Sequence, residues 1–157
     1  MDLQQLSDLD EIRRLTYDYA FAWDTRRPAD YAACFTEDGV IDSSPSDPNI
    51  PPAVGREAIA ALCAAIIGQQ LSPDGPGGSV HAQWNHRIDL DGDRAAGTVY
   101  FCALGALVNG SRTEWYGYYR DEYVRTPEGW RFALRELHPL LPIVSEGLDY
   151  EAHPAAG

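Results

Sequence analysis

The order of helical and strand patterns along the chain limits the fold more than any other feature of this sequence. Apolar residues recur at helical spacing as far as Asp24, and the alanine-rich segment 55–68 predicts a further helix. Beyond it, short turn sequences such as Asn109-Gly110 join four long strand patterns. These patterns cover residues 80–90, 95–108, 112–124 and 130–138. Helices followed by strands, without βαβ alternation, predict an α+β fold in which a curved antiparallel sheet wraps around the N-terminal helices.

Local signals predict where the first elements begin and end. The sequence Ser-Asp-Leu-Asp at residues 7–10 has the form of a capping box and predicts the start of the first helix. Pro28 predicts a break, after which residues 31–35 form a short helix and residues 40–43 a strand. Segment 72–79 holds two prolines and three glycines and predicts a loop.

Length and composition limit the class of protein. The 157 residues are about the common size of one domain, which we place at 1–157 with a core of 6–138 and a tail, 139–157. We expect the apolar residues 140–144 of the tail to pack across the mouth of the fold or on a neighbouring subunit. A net charge of −12 makes nucleic acid and anionic membranes poor partners. All twelve basic residues are arginines, which excludes Schiff-base chemistry on a lysine.

Two further features concern the cellular compartment. No apolar run approaches the ~18 residues of a membrane span, and the first residues lack the basic-then-apolar order of a signal peptide. We therefore expect a cytoplasmic protein. Cys34, Cys63 and Cys102 are an odd number of cysteines in apolar segments, which predicts reduced, buried thiols rather than disulfides.

Several short motifs resemble the SnoaL-like family of the nuclear transport factor 2-like (NTF2-like) superfamily. The sequence Tyr-Ala-Phe-Ala-Trp-Asp at residues 19–24 is similar to the family's opening motif, and His81-x-x-x-Asn85 is similar to a motif on one of its strands. The other matching residues are Asp30, Phe35, Asp38, 88–93, 119–121, 129–132 and Arg135. The resemblance implies a cone-shaped fold, and because the superfamily includes non-catalytic members it implies activity less directly.

Within the family, the resemblance to γ-hexachlorocyclohexane dehydrochlorinase, scytalone dehydratase and bile acid 7α-dehydratase implies a catalytic site. Those enzymes use an aspartate on the first helix to orient a histidine on the sheet, and Asp24 and His81 occupy the matching positions. Tyr19 and Arg135 match a pocket tyrosine and an arginine on the last strand. The resemblance implies that His81 acts as a base, that Tyr19 donates a hydrogen bond to a developing enolate or leaving hydroxyl, and that Arg135 holds an anionic group or stabilises negative charge.

Four further residues are expected to bind substrate. Even spacing along the predicted strand directs His81, Gln83 and Asn85 to one face and His86 to the other. A polar line of this kind is expected to border a wet cavity. Trp23 and Tyr119, which belong to the matching motifs, complete the predicted substrate-binding set with Gln83 and Asn85.

The expected function is that of a cofactor-independent acid–base enzyme, a lyase of the dehydratase type, on a small apolar or aromatic substrate of secondary metabolism. The histidine and cysteine spacings match no metal-binding motif, so neither a metal nor a cofactor is predicted. A polyketide-type cyclase or isomerase, and a non-catalytic small-ligand-binding domain, are the alternatives. Apolar residues on both faces of the last strands predict a homodimer or a higher homo-oligomer.

Overall fold

A computed structural model describes residues 1–71 and 78–144, in which three helices and one six-stranded sheet form the fold. The helices are α1 (Leu3–Asp24), α2 (Pro28–Ala33) and α3 (Arg56–Ile67). The strands are β1 (Phe35–Asp42), β2 (Ala53–Val54), β3 (Ser79–Asp91), β4 (Arg94–Ala106), β5 (Arg112–Thr126) and β6 (Gly129–Pro139). The α+β class and the sheet that follows the helices are confirmed. The predicted loop at 72–79 lies largely outside the described residues.

The sheet has the strand order β2-β1-β6-β5-β4-β3. The last four strands form an antiparallel meander, and β1 adds to it by pairing in parallel with β6. Each turn of the meander contains a glycine with positive φ, which glycine adopts without strain: 60° at Gly92, 87° at Gly110 and 101° at Gly129. The turn glycines therefore keep the meander in register.

The core lies between the concave face of the sheet and the three helices. One face of α1 supplies Ile12, Leu15, Tyr19 and Ala22, all buried, at the spacing that the sequence pattern indicated. Phe132 from β6 is among the sheet residues in the same cluster. Burying a large apolar side chain contributes about 1.5–3 kcal/mol, so this stripe fixes α1 across the sheet.

The structure corrects the predicted boundaries in the first half of the chain. Helix α1 begins at Leu3, because Asp2 accepts a hydrogen bond from the Gln5 backbone N–H (2.8 Å) and its own N–H donates to the Gln5 side chain (3.0 Å). Residues 7–10 are therefore inside the helix. Pro28 opens α2 at its first position, where a missing N–H costs nothing, and β1 begins already at Phe35.

The described part of the tail follows β5 beyond the end of β6. The Glu114 N–H donates to the Val144 carbonyl (2.7 Å), and the Leu140 N–H donates to the Tyr116 carbonyl (2.8 Å). Residues 145–157 lie outside the described part of the chain. Within residues 1–71 and 78–144, no helix combines the length and the apolar character needed to cross a bilayer.

Candidate active site

The end of α1 and the start of β3 bring Asp24 and His81 into contact. One carboxylate oxygen of Asp24 lies 2.7 Å from Nδ1 of His81, and the other accepts a hydrogen bond from the His81 backbone N–H, also at 2.7 Å. The Ser79 hydroxyl donates to the first oxygen at 3.1 Å. The side chains of His81 and Asp24 are 9% and 19% exposed. The contact implied by the resemblance is therefore present, whereas its catalytic role stays a prediction.

Asp24 projects toward β3 because α1 ends abruptly. The Arg27 N–H donates back to the Ala22 carbonyl (2.7 Å) and the Arg26 N–H to the Trp23 carbonyl (2.9 Å). This Schellman geometry places Arg26 in the left-handed region, at φ 61°. Asp24 thus lies in the last helical turn, where the helix dipole disfavours a negative charge. The donors from Ser79 and His81 offset that penalty.

The hydrogen bonds to Asp24 decide which nitrogen of His81 is reactive. Burial would raise the pKa of the Asp24 carboxyl, but the His81 imidazole, the His81 backbone N–H and the Ser79 hydroxyl outweigh burial and lower that pKa. The carboxylate is then ionised and only accepts hydrogen bonds, so Nδ1 of His81 carries the proton. In the neutral ring, Nε2 therefore keeps a lone pair that can accept a proton.

His81 lines a cavity of about 90 Å³ between the helices and the sheet. Aromatic and aliphatic side chains form most of its wall, and the remaining groups are hydroxyls, one amide and the imidazole. The lining residues are Tyr19, Trp23, Tyr31, Ile41, Ser43, Ile50, Leu62, Ile66, Gln70, Ser79, His81, Phe101, Ala103, Leu104, Thr113, Trp115, Tyr119 and Leu137. In residues 1–71 and 78–144, no three metal-ligating side chains lie close enough together to hold a metal ion.

Three buried tyrosines form one side of the cavity. The Tyr31 hydroxyl donates to the Tyr19 hydroxyl at 2.8 Å, and the Tyr119 ring lies at 5.9 Å from the Tyr19 ring, centroid to centroid. Burial raises the pKa of each of these phenols, so all three are protonated at neutral pH. The Tyr31 proton is used in the bond to Tyr19, so the Tyr19 hydroxyl, which accepts that bond, is the one that can donate to a ligand oxygen. Tyr31 was not among the predicted site residues, although it is a large aromatic residue in the short helix beside the motif residue Asp30.

Trp23 lines the cavity next to His81, and the centroids of the two rings are 5.6 Å apart. Its indole Nε1 is buried and has no hydrogen-bond partner among the described residues. Such an unpaired donor is costly in a protein interior. Trp23 thus contributes an aromatic ring to the cavity wall and a buried donor without a partner beside it.

Arg135 lies behind the cavity wall and not in the cavity. Its Nε and one Nη donate to the two carboxylate oxygens of Asp121, at 2.8 and 2.7 Å, and both side chains are 0% exposed. The guanidinium carbon is 4.3 Å from the centroid of the Tyr19 ring and 4.0 Å from that of Tyr119. The two rings separate the arginine from the cavity, which is not the direct contact with an anionic group that the sequence led us to expect.

A bulge in β3 overturns the expected positions of Asn85 and His86. The register with β4 shifts between Trp84 and Arg87, and Asn85 has a left-handed backbone at φ 55°. The extra residue turns Asn85 out to solvent and His86 inward. The prediction that Asn85 shares a face with His81 is therefore wrong, because even spacing holds only in an unbroken strand.

Gln83 points inward like His81 but does not line the cavity. Its amide nitrogen donates to the Thr16 carbonyl at 2.8 Å, which ties β3 to the middle of α1. Beyond the bulge, the Tyr123 hydroxyl donates to Asp121 (2.7 Å) and lies 3.0 Å from Nε2 of His86. These contacts support the sheet behind the cavity.

Comparisons with known proteins identify the family. The SnoaL-like domain matches residues 4–136 of the chain. The chain belongs to the SnoaL-like family. An uncharacterized protein of Mycobacterium tuberculosis strain H37Rv, Rv2910c, is 32% identical over 145 residues, which cover 86% of this chain and 87% of the relative.

Solved structures of similar proteins confirm the NTF2-like fold of this SnoaL-like chain. An NTF2-like protein with a cystatin-like fold from Novosphingobium aromaticivorans is 26% identical, with a TM-score of 0.71 over 88% of this chain and 85% of that one. A putative scytalone dehydratase from N. aromaticivorans is 23% identical, with a TM-score of 0.78 over 92% and 91%. The hexachlorocyclohexane dehydrochlorinase LinA-type3 from Novosphingobium barchaimii is 19% identical, with a TM-score of 0.76 over 96% and 98%.

Proposed function

We propose that this SnoaL-like protein is a cofactor-independent lyase in which His81 removes a proton from a small apolar or aromatic substrate. The observation that carries the proposal is the 2.7 Å contact between Asp24 and Nδ1 of His81 at the wall of a mostly apolar cavity. The names of two proteins of the same fold, a scytalone dehydratase and a dehydrochlorinase, support an elimination reaction.

In the proposed step, Nε2 of His81 takes a proton from a carbon beside a carbonyl or on an electron-poor ring. The electron pair of the C–H bond forms a new double bond, and the leaving group departs from the neighbouring carbon with its own bonding pair. The Asp24 carboxylate stabilises the imidazolium that results, and the Tyr19 hydroxyl donates a hydrogen bond to the substrate oxygen on which negative charge develops. The His81 imidazolium then gives its proton to the leaving group or to solvent, which restores the neutral imidazole, and no cofactor is consumed.

A second candidate is an isomerase or a polyketide-type cyclase with the same base. Apart from the tyrosine phenols, His81 is the sole ionisable side chain among the described residues that line the cavity. A single base that returns its proton to another carbon moves a double bond, and an enolate that attacks a carbonyl in the same substrate closes a ring. A substrate without a leaving group would therefore take one of these courses.

A test of the base does not require the natural substrate. In 5-nitrobenzisoxazole a base removes the one acidic C–H proton, the N–O bond of the ring breaks, and the single product carries a nitrile and a coloured phenolate. We expect the wild-type protein to catalyse this reaction and the His81→Ala variant to lose about 10²- to 10⁴-fold in rate.

The control is His138→Ala, which removes a histidine that stacks on Tyr118 away from the cavity. It should retain wild-type turnover. A folded His81→Ala protein with more than about a tenth of wild-type activity, or a wild-type protein without turnover, would contradict a reactive base at this position.

We also propose that two copies of the chain pair through the convex face of the sheet. Val80, Trp84 and Tyr100 are exposed large apolar residues, and the rings of Trp84 and Tyr100 pack edge to face at 6.3 Å. A contiguous apolar patch of this kind favours self-association. Light scattering that detects only monomer at micromolar concentration would contradict the dimer.

A further inference from the structure

We propose that the cavity binds uncharged ligands and rejects carboxylates, and that Asp121 sets this preference by neutralising Arg135, the buried cation behind the cavity wall. The inference rests on the proposed function in one respect, namely that the cavity beside His81 is where the substrate binds. It narrows the substrate from small and apolar to small, uncharged and oxygen-bearing.

The first argument is the composition of the wall. None of the described residues that line the cavity is an arginine, and the chain contains no lysine. Segments 72–77 and 145–157, which the structure does not describe, contain no arginine either, so they add no permanent cation. A buried carboxylate needs a cation or several donors to offset the loss of its hydration. The described wall offers it no cation.

The second argument concerns Arg135, the cation nearest to the cavity. Asp121 binds two of its nitrogens, while the rings of Tyr19, Tyr119 and Phe132 lie within 4.0–4.3 Å of the guanidinium carbon. The pair is fully buried and its charges cancel at short range. A ligand in the cavity therefore meets two aromatic rings instead of a positive charge.

The third argument is the charge at the catalytic end. Asp24 is an ionised carboxylate directly behind His81, because its hydrogen bonds lower its pKa. A ligand carboxylate close to His81 would meet that negative charge in a poorly hydrated site, where like charges repel strongly. The net charge of −12 acts in the same direction at longer range.

The polar groups that remain are suited to a neutral oxygen. The protonated hydroxyl of Tyr19, which accepts the bond from Tyr31, and the hydroxyl of Ser43 are donors at the cavity without formal charge. Neutral donors of this type bind a ketone, ester, amide or hydroxyl oxygen without the desolvation cost of an ion. An aromatic or alicyclic carbonyl compound matches both the walls and the donors.

The test compares two ligands that differ in charge and little in shape, 2-naphthamide and 2-naphthoate, by isothermal titration calorimetry at neutral pH. We expect the dissociation constant of the naphthoate to be at least about tenfold larger than that of the amide. Equal affinities, tighter binding of the naphthoate, or no binding of either compound would overturn the proposal.

Two variants test whether charge is the cause. Ile66 is half-buried on α3 and lines the cavity, so Ile66→Arg places a cation in the wall and should shift the ratio of affinities at least about tenfold toward the naphthoate. Asp121→Asn leaves the charge of Arg135 uncompensated and should shift the ratio the same way; if this variant does not fold, Ile66→Arg still decides. An unchanged ratio in folded Ile66→Arg would overturn the electrostatic explanation.

Arg112→Gln is the matched control, because Arg112 is an exposed arginine on a hollow that adjoins the cavity, where Glu114 lies next to it. It should leave the ratio of affinities at its wild-type value; a ratio that moves away from the naphthoate would mean that Arg112 attracts ligands to the cavity and would overturn the inference.

The proposed function and this inference can be contradicted independently of each other. A protein that prefers the amide but has no His81-dependent turnover contradicts the proposed function alone, and one that has turnover but binds both ligands equally contradicts this inference alone.

Discussion

The two ends of helix α1 each carry a buried or half-buried aspartate, and the two carboxylates have different partners. Asp8, near the N-terminal end, accepts two hydrogen bonds from Arg125 at 2.6 and 2.7 Å and one from the Trp130 indole at 3.2 Å. Asp24, at the C-terminal end, bonds to the imidazole of His81, the only basic side chain among the described residues that contacts it. The guanidinium of Arg125 is a permanent cation, whereas an imidazole such as that of His81 can bind or release a proton.

This difference indicates what each end does. The Asp8–Arg125 pair joins the start of α1 to β5. The hydrogen bonds from Arg125 lower the pKa of Asp8 to about 2. The three guanidinium nitrogens of Arg125 and the indole nitrogen of Trp130 all donate to carboxylates of the protein itself. At Asp24 one nitrogen of the partner, Nε2, is left for the cavity, and the carboxylate lies at the unfavourable end of the helix dipole. The N-terminal end therefore serves stability, and the C-terminal end fits a reactive site.

The largest expected effect is on turnover at the Asp24 end. Asp24→Asn removes the negative charge that fixes the His81 tautomer and stabilises the imidazolium, so kcat on 5-nitrobenzisoxazole should fall about 10²- to 10⁴-fold. Because the two residues act together, the double variant with His81→Ala should be little worse than the poorer single variant. Circular dichroism should show that the variants fold.

Asp18→Asn provides the matched control, since Asp18 is an exposed aspartate on the same helix. Its kcat should equal that of the wild type. Additive losses in the Asp24 and His81 double variant would show that the two residues serve separate roles, and the contrast between the helix ends would then lose its basis.

The second-largest expected effect is a loss of stability when Asp8 is replaced. Asp8→Asn leaves Arg125 with a weaker partner in a mostly buried place, which should lower the free energy of unfolding by about 3 kcal/mol in urea titrations. Turnover per folded molecule should not change. Arg14→Gln, which breaks the exposed pair of Arg14 and Asp10, should cost less than about 1 kcal/mol. A drop in turnover for Asp8→Asn would contradict the division between the two ends.

The sequence predicts one end of α1 better than the other, for a physical reason. The contact between Asp24 and His81 joins residues 57 positions apart, and the resemblance to the SnoaL-like family implies it, because the family pairs an aspartate on the first helix with a histidine on the sheet. The partners of Asp8, by contrast, are more than a hundred residues away in the chain, and their approach depends on the register of the meander. Local patterns do not contain that register. The Asp121–Arg135 pair escaped prediction for the same reason, because its members face each other across β5 and β6.

A pH experiment tests whether His86, on the part of β3 beyond the bulge, is buried and neutral. Burial lowers the pKa of His86 to about 4 from 6.5, despite the opposing charge of Asp121, while the charges of Arg135 and Arg13 lower it further. At His86 the unfolded chain therefore binds more protons than the folded one between these values, and this residue should contribute a loss of roughly 2 kcal/mol of stability as the pH falls from 6.5 to about 4.

His86→Gln keeps an N–H donor toward Tyr123 but cannot titrate, so its stability should vary less with pH across that window. Urea unfolding at a series of pH values measures both slopes. If the two proteins lose stability equally between these pH values, His86 is not a neutral, buried histidine. The part of β3 beyond the bulge would then be more exposed to solvent than the geometry indicates.

The smallest expected effect concerns the bulge at Asn85, which separates the part of β3 that faces Asp24 from the part that begins with His86. Asn85 has φ 55° and is exposed, so Asn85→Gly should change stability by less than about 0.5 kcal/mol. Asn85→Val, with a branched side chain that resists this backbone, should cost about 1–2 kcal/mol. Both variants should retain wild-type turnover of 5-nitrobenzisoxazole, because the side chain points away from the cavity. A folded Asn85→Val protein with strongly reduced kcat would mean that the register of β3 at His81 depends on the bulge, and the two parts of β3 would then be coupled.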